Sequence, residues 1–241
     1  MRYFVEFAYN GTNFHGSQRQ PNGITVQEVM EDTFATIWRQ PVTLTFAGRT
    51  DAGVHAEQMF AHFDGTITAT ESSNISRLNS LLPPDIAVRR IFPVPDDAHA
   101  RFSAVERTYE YRITTAKDPF RQTLVTRVAP GLDFEAMNAA AKLLLGKHDF
   151  ASFCKVHTDV KTTFCDITRA EWVNANVFVI SADRFLRNMV RAVVGTLFEV
   201  GRHKMSLDDF REVIEAHNRC AAGQSAPPQG LYLTRIYYPF G

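Results

Sequence analysis

The chain has 241 residues, of which 45% are hydrophobic and 22% charged, and its 26 Lys and Arg balance its 26 Asp and Glu. That length suits one large domain or two small ones around a sizeable core, and the composition excludes a disordered chain, which would pair low hydrophobicity with high net charge. A net charge of zero is not the footprint of a strongly basic nucleic-acid binder, no apolar run is long enough to span a membrane, and residues 1–6 lack the apolar core of a signal peptide.

Residues 3–9 read as a strand and lead into a Gly-rich turn through Asn10, Gly11, Thr12, His15 and Gly16. Thr25 and Glu28 make a capping-box pattern. Behind it Val26, Val29, Met30, Phe34 and Ile37 recur at helical spacing, and Pro41 ends that helix. Val42, Leu44 and Phe46 alternate with polar or small residues as a strand would, and residues 59–63 form another. Ile75, Leu78 and Leu82 mark a second helix, stopped by Pro83 and Pro84. Residues 86–92 are again strand-like, and the Pro-rich stretch 93–97 is a plausible link.

The second half begins near Arg101. Tyr109, Tyr111 and Ile113 alternate on a strand. Asp133 caps a helix through Met137, Ala140, Leu143 and Leu144, with Gly146 where a helix end favours it. Strands are expected at about 161–172 and at 177–182, a long helix at 185–200, a helix after Ser206, and a closing strand at 231–238. The interspersed strands and helices, without a Gly-x-Gly-x-x-Gly turn, predict an α+β fold with a mixed sheet rather than a doubly wound one. The boundary falls between residues 1–100 and 101–241.

Charge divides unevenly across that boundary. Seven Lys and Arg face eleven Asp and Glu in residues 1–100, against nineteen and fifteen in the rest, so a local basic surface fits a neutral whole. Cys154, Cys165 and Cys220, an odd number with no Cys-x-x-Cys spacing, read as three reduced thiols of an intracellular protein rather than a disulfide framework or zinc knuckle.

Three segments can carry chemistry. In residues 46–56 a strand runs into a loop bracketed by Gly48 and Gly53 that presents Arg49, Thr50, Asp51 and His55. Glycines permit unusual backbone and close approach, and strand-end loops often mount functional side chains. On spacing alone Asp51 reads as a turn residue capping local backbone. In the helix at 185–200, Leu186, Met189, Val190, Val193 and Leu197 form one face. Arg184, Arg187, Asn188, Arg191 and Gly195 form the other. A polar face is ordinarily only solvated, but three arginines with no acidic partner at i,i+4 also suit phosphates or a partner carboxylate. Gly195, costing about 1 kcal/mol against alanine, points to a close approach there. Third, Tyr109 and Tyr111 share a strand; Tyr111 reads as core, while a tyrosine in a polar site is able to stack on a base.

The string Gly48-Arg49-Thr50-Asp51-Ala52-Gly53-Val54-His55-Ala56 resembles the signature of the TruA family of tRNA pseudouridine synthases. Further strings resemble family blocks in the same order: residues 9–16, 100–109, 146–153, 185–191 and 230–233. Two departures fall in the first of these regions and just beyond it: Asn10 stands where the family more often has Asp, and Ser17 where Trp before Gln18 is usual. The resemblance implies isomerisation of uridine to pseudouridine in the anticodon stem-loop of tRNA, around positions 38–40, by a cytoplasmic homodimer with RNA bound across both subunits. It implies a mixed, largely antiparallel sheet flanked by helices, in two similar halves with a central cleft. No redox step or net hydrolysis occurs, so it implies neither metal nor organic cofactor.

Carried onto this sequence, the family pattern makes Asp51 the catalytic carboxylate, as nucleophile or as base. Arg191 keeps it ionised and oriented, and Tyr109 packs against the uracil. Arg49 helps extrude the target nucleotide, since a base inside a stem must leave the stack before its glycosidic bond is reached. Arg184, Arg187, Arg202, His203 and Lys204 are candidates for phosphate contacts. Besides synthase activity on an unusual RNA target, which the departures at Asn10 and Ser17 leave open, two rivals of another kind stand beside this reading. One is a non-catalytic RNA-binding protein on the same scaffold. The other is a hydrolase using Asp51 with His55, for which Glu57 is the nearest second carboxylate.

Overall fold

A computed structural model describes residues 1–65, 72–155 and 161–240. Its elements in chain order are β1 (Arg2–Tyr9), α1 (Val26–Trp38), β2 (Thr45–Phe46), β3 (His55–Asp64), α2 (Ser72–Leu81), β4 (Ile86–Val94), β5 (Glu106–Thr114), β6 (Thr126–Arg127), α3 (Phe134–Lys142), β7 (Gly146–Asp149), β8 (Phe164–Asn174), β9 (Val177–Ala182), α4 (Met189–Gly201), α5 (Leu207–Glu215) and β10 (Leu231–Tyr237). The described residues thus hold ten strands and five α-helices, paired mainly antiparallel, with β5–β6 parallel. This is the α+β class that the sequence predicts. No helix among the described residues is long and apolar enough to cross a membrane.

The chain divides into two compact units: Met1–Val105 with the segment from Leu233, and Glu106–Tyr232. From Leu233 onward, β10 returns to the first unit. The return is fixed by polar contacts. Ile236 donates its N–H to Gln58 Oε1 at 2.9 Å, Tyr238 its hydroxyl to Ala100 O at 2.5 Å, and Val105 its N–H to Tyr237 O at 2.9 Å.

In the first unit the strand order is β4-β1-β3-β10, with β2 beside β3. Phe4, Val5 and Phe7 of β1 are fully buried, each contributing roughly 1.5–3 kcal/mol by leaving water. Thr25 caps α1 through Glu28 N–H at 3.3 Å, as its sequence pattern predicts, and Val26, Met30, Thr33 and Phe34 form the buried stripe. Phe34 meets Phe63 of β3 edge-on at 5.7 Å. The expected strand at 42–46 shrinks to two residues because α1 takes the backbone of Leu44. Glu31 Oε1 accepts its N–H at 3.0 Å and Gln27 Nε2 donates to its carbonyl at 2.9 Å, which removes both groups from any ladder.

In the second unit the order is β5-β9-β8-β7, with β6 beside β5. β8 alternates strictly around Cys165 and Ile167, then Ala170 and Trp172, after a register shift. α3 ends at Lys142 with Leu143 as its C-cap, short of the expected end at Gly146; Gly146, at φ 90°, instead opens β7, which the sequence did not show as a strand. α4 is almost wholly buried, and it begins later than the hydrophobic period predicts. Asn188 adopts φ 65°, ψ 4°, a left-handed conformation that an α-helix cannot run through. Residues 184–187 are thus a non-helical approach to α4, and the arginine row expected on one helix face does not exist as a row. The carbonyl of Arg187 instead accepts Lys155 N–H at 3.0 Å.

Candidate active site

Asp51 sits in the turn between β2 and β3, half-buried, with buried Thr50 before it and buried Val54 and His55 after it. The loop following β1 holds both flanks. Thr50 donates its N–H to Ser17 Oγ at 2.8 Å, and its carbonyl accepts Ser17 N–H at 3.2 Å. The Thr50 hydroxyl shares a 2.7 Å hydrogen bond with the buried hydroxyl of Tyr9. On the other side, Gly11 donates its N–H to His55 Nδ1 at 3.0 Å. A side chain at residue 11 would put its Cβ 1.9 Å from Val54 O, so only glycine lets the two loops close. Within the turn, Val54 N–H bonds Asp51 O at 3.2 Å and Gly53 takes φ 77°, a region that a residue with Cβ adopts reluctantly.

These contacts hold the backbone of Asp51 from both sides, so ordering it during a reaction costs little further entropy. A half-exposed carboxylate on a rigid loop suits a nucleophile or base. His55 is 1% exposed, and its Nδ1 accepts a backbone hydrogen bond, which gives it a structural role at the turn. Arg49 is exposed on the same turn, where its Nε donates to Gln18 Oε1.

The second unit carries the other expected site residues. Tyr109 lies on β5 opposite Ile180 of β9, half-buried, with its ring edge-on to Phe185 at 5.1 Å and 85°. Tyr111 is core, as expected: its hydroxyl bonds Thr126 Oγ1 at 2.7 Å and Pro227 O at 2.8 Å, and burial pushes its phenol well above the ordinary value. Arg191 lies in the first turn of α4, half-buried, with its Nε donating to Ala226 O at 2.7 Å.

The remaining basic candidates do not form one cluster. Arg184 and the exposed Arg187 precede α4; Arg202 and Lys204 follow it, both exposed. A helix of 13 residues separates its ends by about 20 Å. Arg202 pairs with Glu199 at 2.7 Å, and His203 Nε2 lies 3.4 Å from Asp133. The sequence singled out Ser17 and the block from Tyr9 but not their role in anchoring the Asp51 turn, because a lone buried hydroxyl leaves no periodic signal. It also missed Arg219 and Ser225, which bond each other at 2.9 Å in the segment between α5 and β10.

Cys154 and Cys165 are buried and Cys220 is exposed; burial pushes the Cys165 thiol up to about 12. No group of three or more His, Cys, Asp or Glu among the described residues is placed to hold a metal ion.

A family model described as tRNA pseudouridine synthase matches residues 7–103 and 140–239. A Parabacteroides distasonis protein named tRNA pseudouridine synthase A is 54% identical over 242 residues, covering 99% of this chain and 96% of that protein. A Bacteroides thetaiotaomicron protein of the same name is 53% identical over 244 residues, covering 99% and 91%. One from Exiguobacterium sibiricum is 37% identical over 241 residues, covering 99% and 97%. Both matched segments include site candidates, Asp51 in the first and Arg191 in the second.

Proposed function

This chain belongs to the TruA family of tRNA pseudouridine synthases, and on that premise we propose that it isomerises uridine in tRNA with Asp51 as the reacting carboxylate. The observation that carries the assignment is the Asp51 turn, held on both flanks by Ser17, Tyr9 and Gly11. A carboxylate so mounted meets a flipped nucleotide with little reorganisation.

In the reaction the C1′–N1 bond of the nucleotide breaks, the uracil turns, and a C1′–C5 bond forms. C5 gives up its proton, N1 gains one, and nothing is oxidised, reduced or hydrolysed. The Asp51 carboxylate either adds to a carbon of sugar or base and is later expelled, or takes a sugar proton and returns it after passage through a glycal. Arg191 is assigned to orient that carboxylate, a role for which a planar guanidinium suits better than an ammonium. Tyr109 is assigned to pack against the uracil, and Arg49 to occupy the stem where the nucleotide has left. Arg184, Arg187, Arg202 and Lys204 are assigned to phosphates, which fix register without reading sequence.

The target we propose is the anticodon stem-loop, around positions 38–40, bound across a homodimer in the cytoplasm. Dimerisation gathers two basic surfaces on one RNA, which offsets a net charge of zero. Mapping pseudouridine by reverse-transcription stops on unmodified tRNA transcripts after incubation tests the target: stops at 38–40 support it, and stops confined to another arm contradict it. Light scattering of the free protein and of its tRNA complex tests the dimer.

A further inference from the structure

The segment between α5 and β10 crosses back over the first turns of α4. Gly223 donates its N–H to Thr196 Oγ1 at 3.0 Å. At Gly195 a Cβ would come 1.8 Å from Gln224 O, so the segment lies directly on the helix backbone. Arg191 and Ala226 close a ring of two hydrogen bonds: Ala226 N–H to Arg191 O at 2.8 Å, and Arg191 Nε–H to Ala226 O at 2.7 Å.

What keeps this strap in place is one arginine and one misplaced asparagine. Arg219 donates from Nη1 to the carbonyls of Ala222 at 3.2 Å and Gly223 at 3.1 Å, and from Nη2 to Ser225 Oγ at 2.9 Å. All three acceptors are neutral, and none of the ion pairs among the described residues includes Arg219. A charged donor spent on neutral acceptors rigidifies its loop. Asn188 stands at the N-cap of α4 yet makes no capping bond, forgoing about 1 kcal/mol. Its Nδ2 donates to Ser225 Oγ at 2.6 Å. Ser225 therefore receives both donors, and the next residue, Ala226, holds the Arg191 guanidinium.

We infer that Arg219 is a positioning residue for Arg191, acting through Ser225 and the strap without touching RNA. The inference rests on the reading that Arg191 takes part in the reaction. An arginine side chain has several free torsions, and fixing Nε sets the plane in which its terminal amino groups point. That plane follows the position of Ala226 O, which in turn follows Ser225. A displacement of about 1 Å in a positioned group costs up to roughly 100-fold in rate.

The test is a double-mutant cycle on the single-turnover rate of isomerisation, read as tritium release from tRNA labelled at C5 of uridine, with tRNA affinity measured by filter binding. Arg219→Gln is expected to slow the rate by roughly 10- to 100-fold in the presence of Arg191, and by less than about twofold in an Arg191→Lys background, since two residues acting through one group are not additive. Affinity for tRNA stays within about twofold of the parent, as no phosphate contact is lost. Ser225→Ala repeats the effect and Ser225→Thr, which keeps the acceptor, restores the rate; this pair also serves if Arg219→Gln does not fold. Equal slowing in both backgrounds, or no slowing by either Arg219→Gln or Ser225→Ala, overturns the inference. Wild-type rates for Arg191→Ala overturn the reading of Arg191 itself, which is a different result.

Discussion

Ser17 and Thr50 are joined twice, Thr50 N–H to Ser17 Oγ at 2.8 Å and Ser17 N–H to Thr50 O at 3.2 Å. The pair links the loop after β1 to the residue immediately before Asp51. Ser17 is fully buried, so neither partner has water to fall back on, and the position of the carboxylate depends on a hydroxyl far away in sequence.

Ser17→Ala leaves Thr50 N–H without its acceptor. A buried unsatisfied donor costs about 1–3 kcal/mol, and that loss is expected in urea unfolding. The rate of isomerisation should fall further than the loss of folded protein explains, because the Asp51 turn loosens. A variant with unchanged midpoint and unchanged rate would show that the pair does not hold the turn.

Gly195→Ala opposes two terms. Alanine favours helix by about 1 kcal/mol over glycine, whereas its Cβ would stand 1.8 Å from the backbone oxygen of Gln224. Backbone has no rotamer by which to yield, so overpacking dominates and a net loss of about 1–3 kcal/mol is expected. Calorimetry decides: an equal or higher Tm contradicts the close seating of the strap.

His62 makes stability depend on pH. It is buried, its Nδ1 accepts Ala100 N–H at 3.1 Å, and its ring meets that of His99 at 4.5 Å. Burial first, then the charges of His99 and Arg2, lower its pKa from 6.5 to about 4, and Asp64 opposes the shift. The unfolded chain therefore binds this proton more readily than the fold does. The stabilisation from neutral His62 is complete above pH 6.5 and drains away as pH falls from 6.5 towards about 4, a loss of roughly 3 kcal/mol in all. His99, also lowered, adds to the same sign. Urea unfolding at pH 7 and pH 4.5 should show the loss in wild type and a smaller one in His62→Gln; equal losses contradict it.

The Asp51 turn was legible in sequence because its chemistry is local: glycines, a carboxylate, a cation and an imidazole lie within nine residues. α1 and α5 were legible for the same reason, each having a hydroxyl cap and an apolar period. The start of α4 was not. Leu186 and Met189 continue the helical period, and only the left-handed backbone of Asn188 breaks it. β2 was over-read because alternation at 42–46 says nothing of Glu31 and Gln27 taking the backbone of Leu44. The strap was invisible because its residues are small and aperiodic, and its one charged anchor, Arg219, reads as an ordinary surface arginine. The return of β10 to the first unit was equally hidden, since a strand pattern does not name its partner.

The central claim is that Asp51 carries out the isomerisation. The most direct measurement incubates wild type and Asp51→Ala with unmodified tRNA carrying tritium at C5 of uridine and follows release to water, since C5 loses its hydrogen on becoming the new point of attachment. The account predicts release by wild type and none by Asp51→Ala, with both proteins folded and binding tRNA alike. Equal release by the two proteins would contradict it.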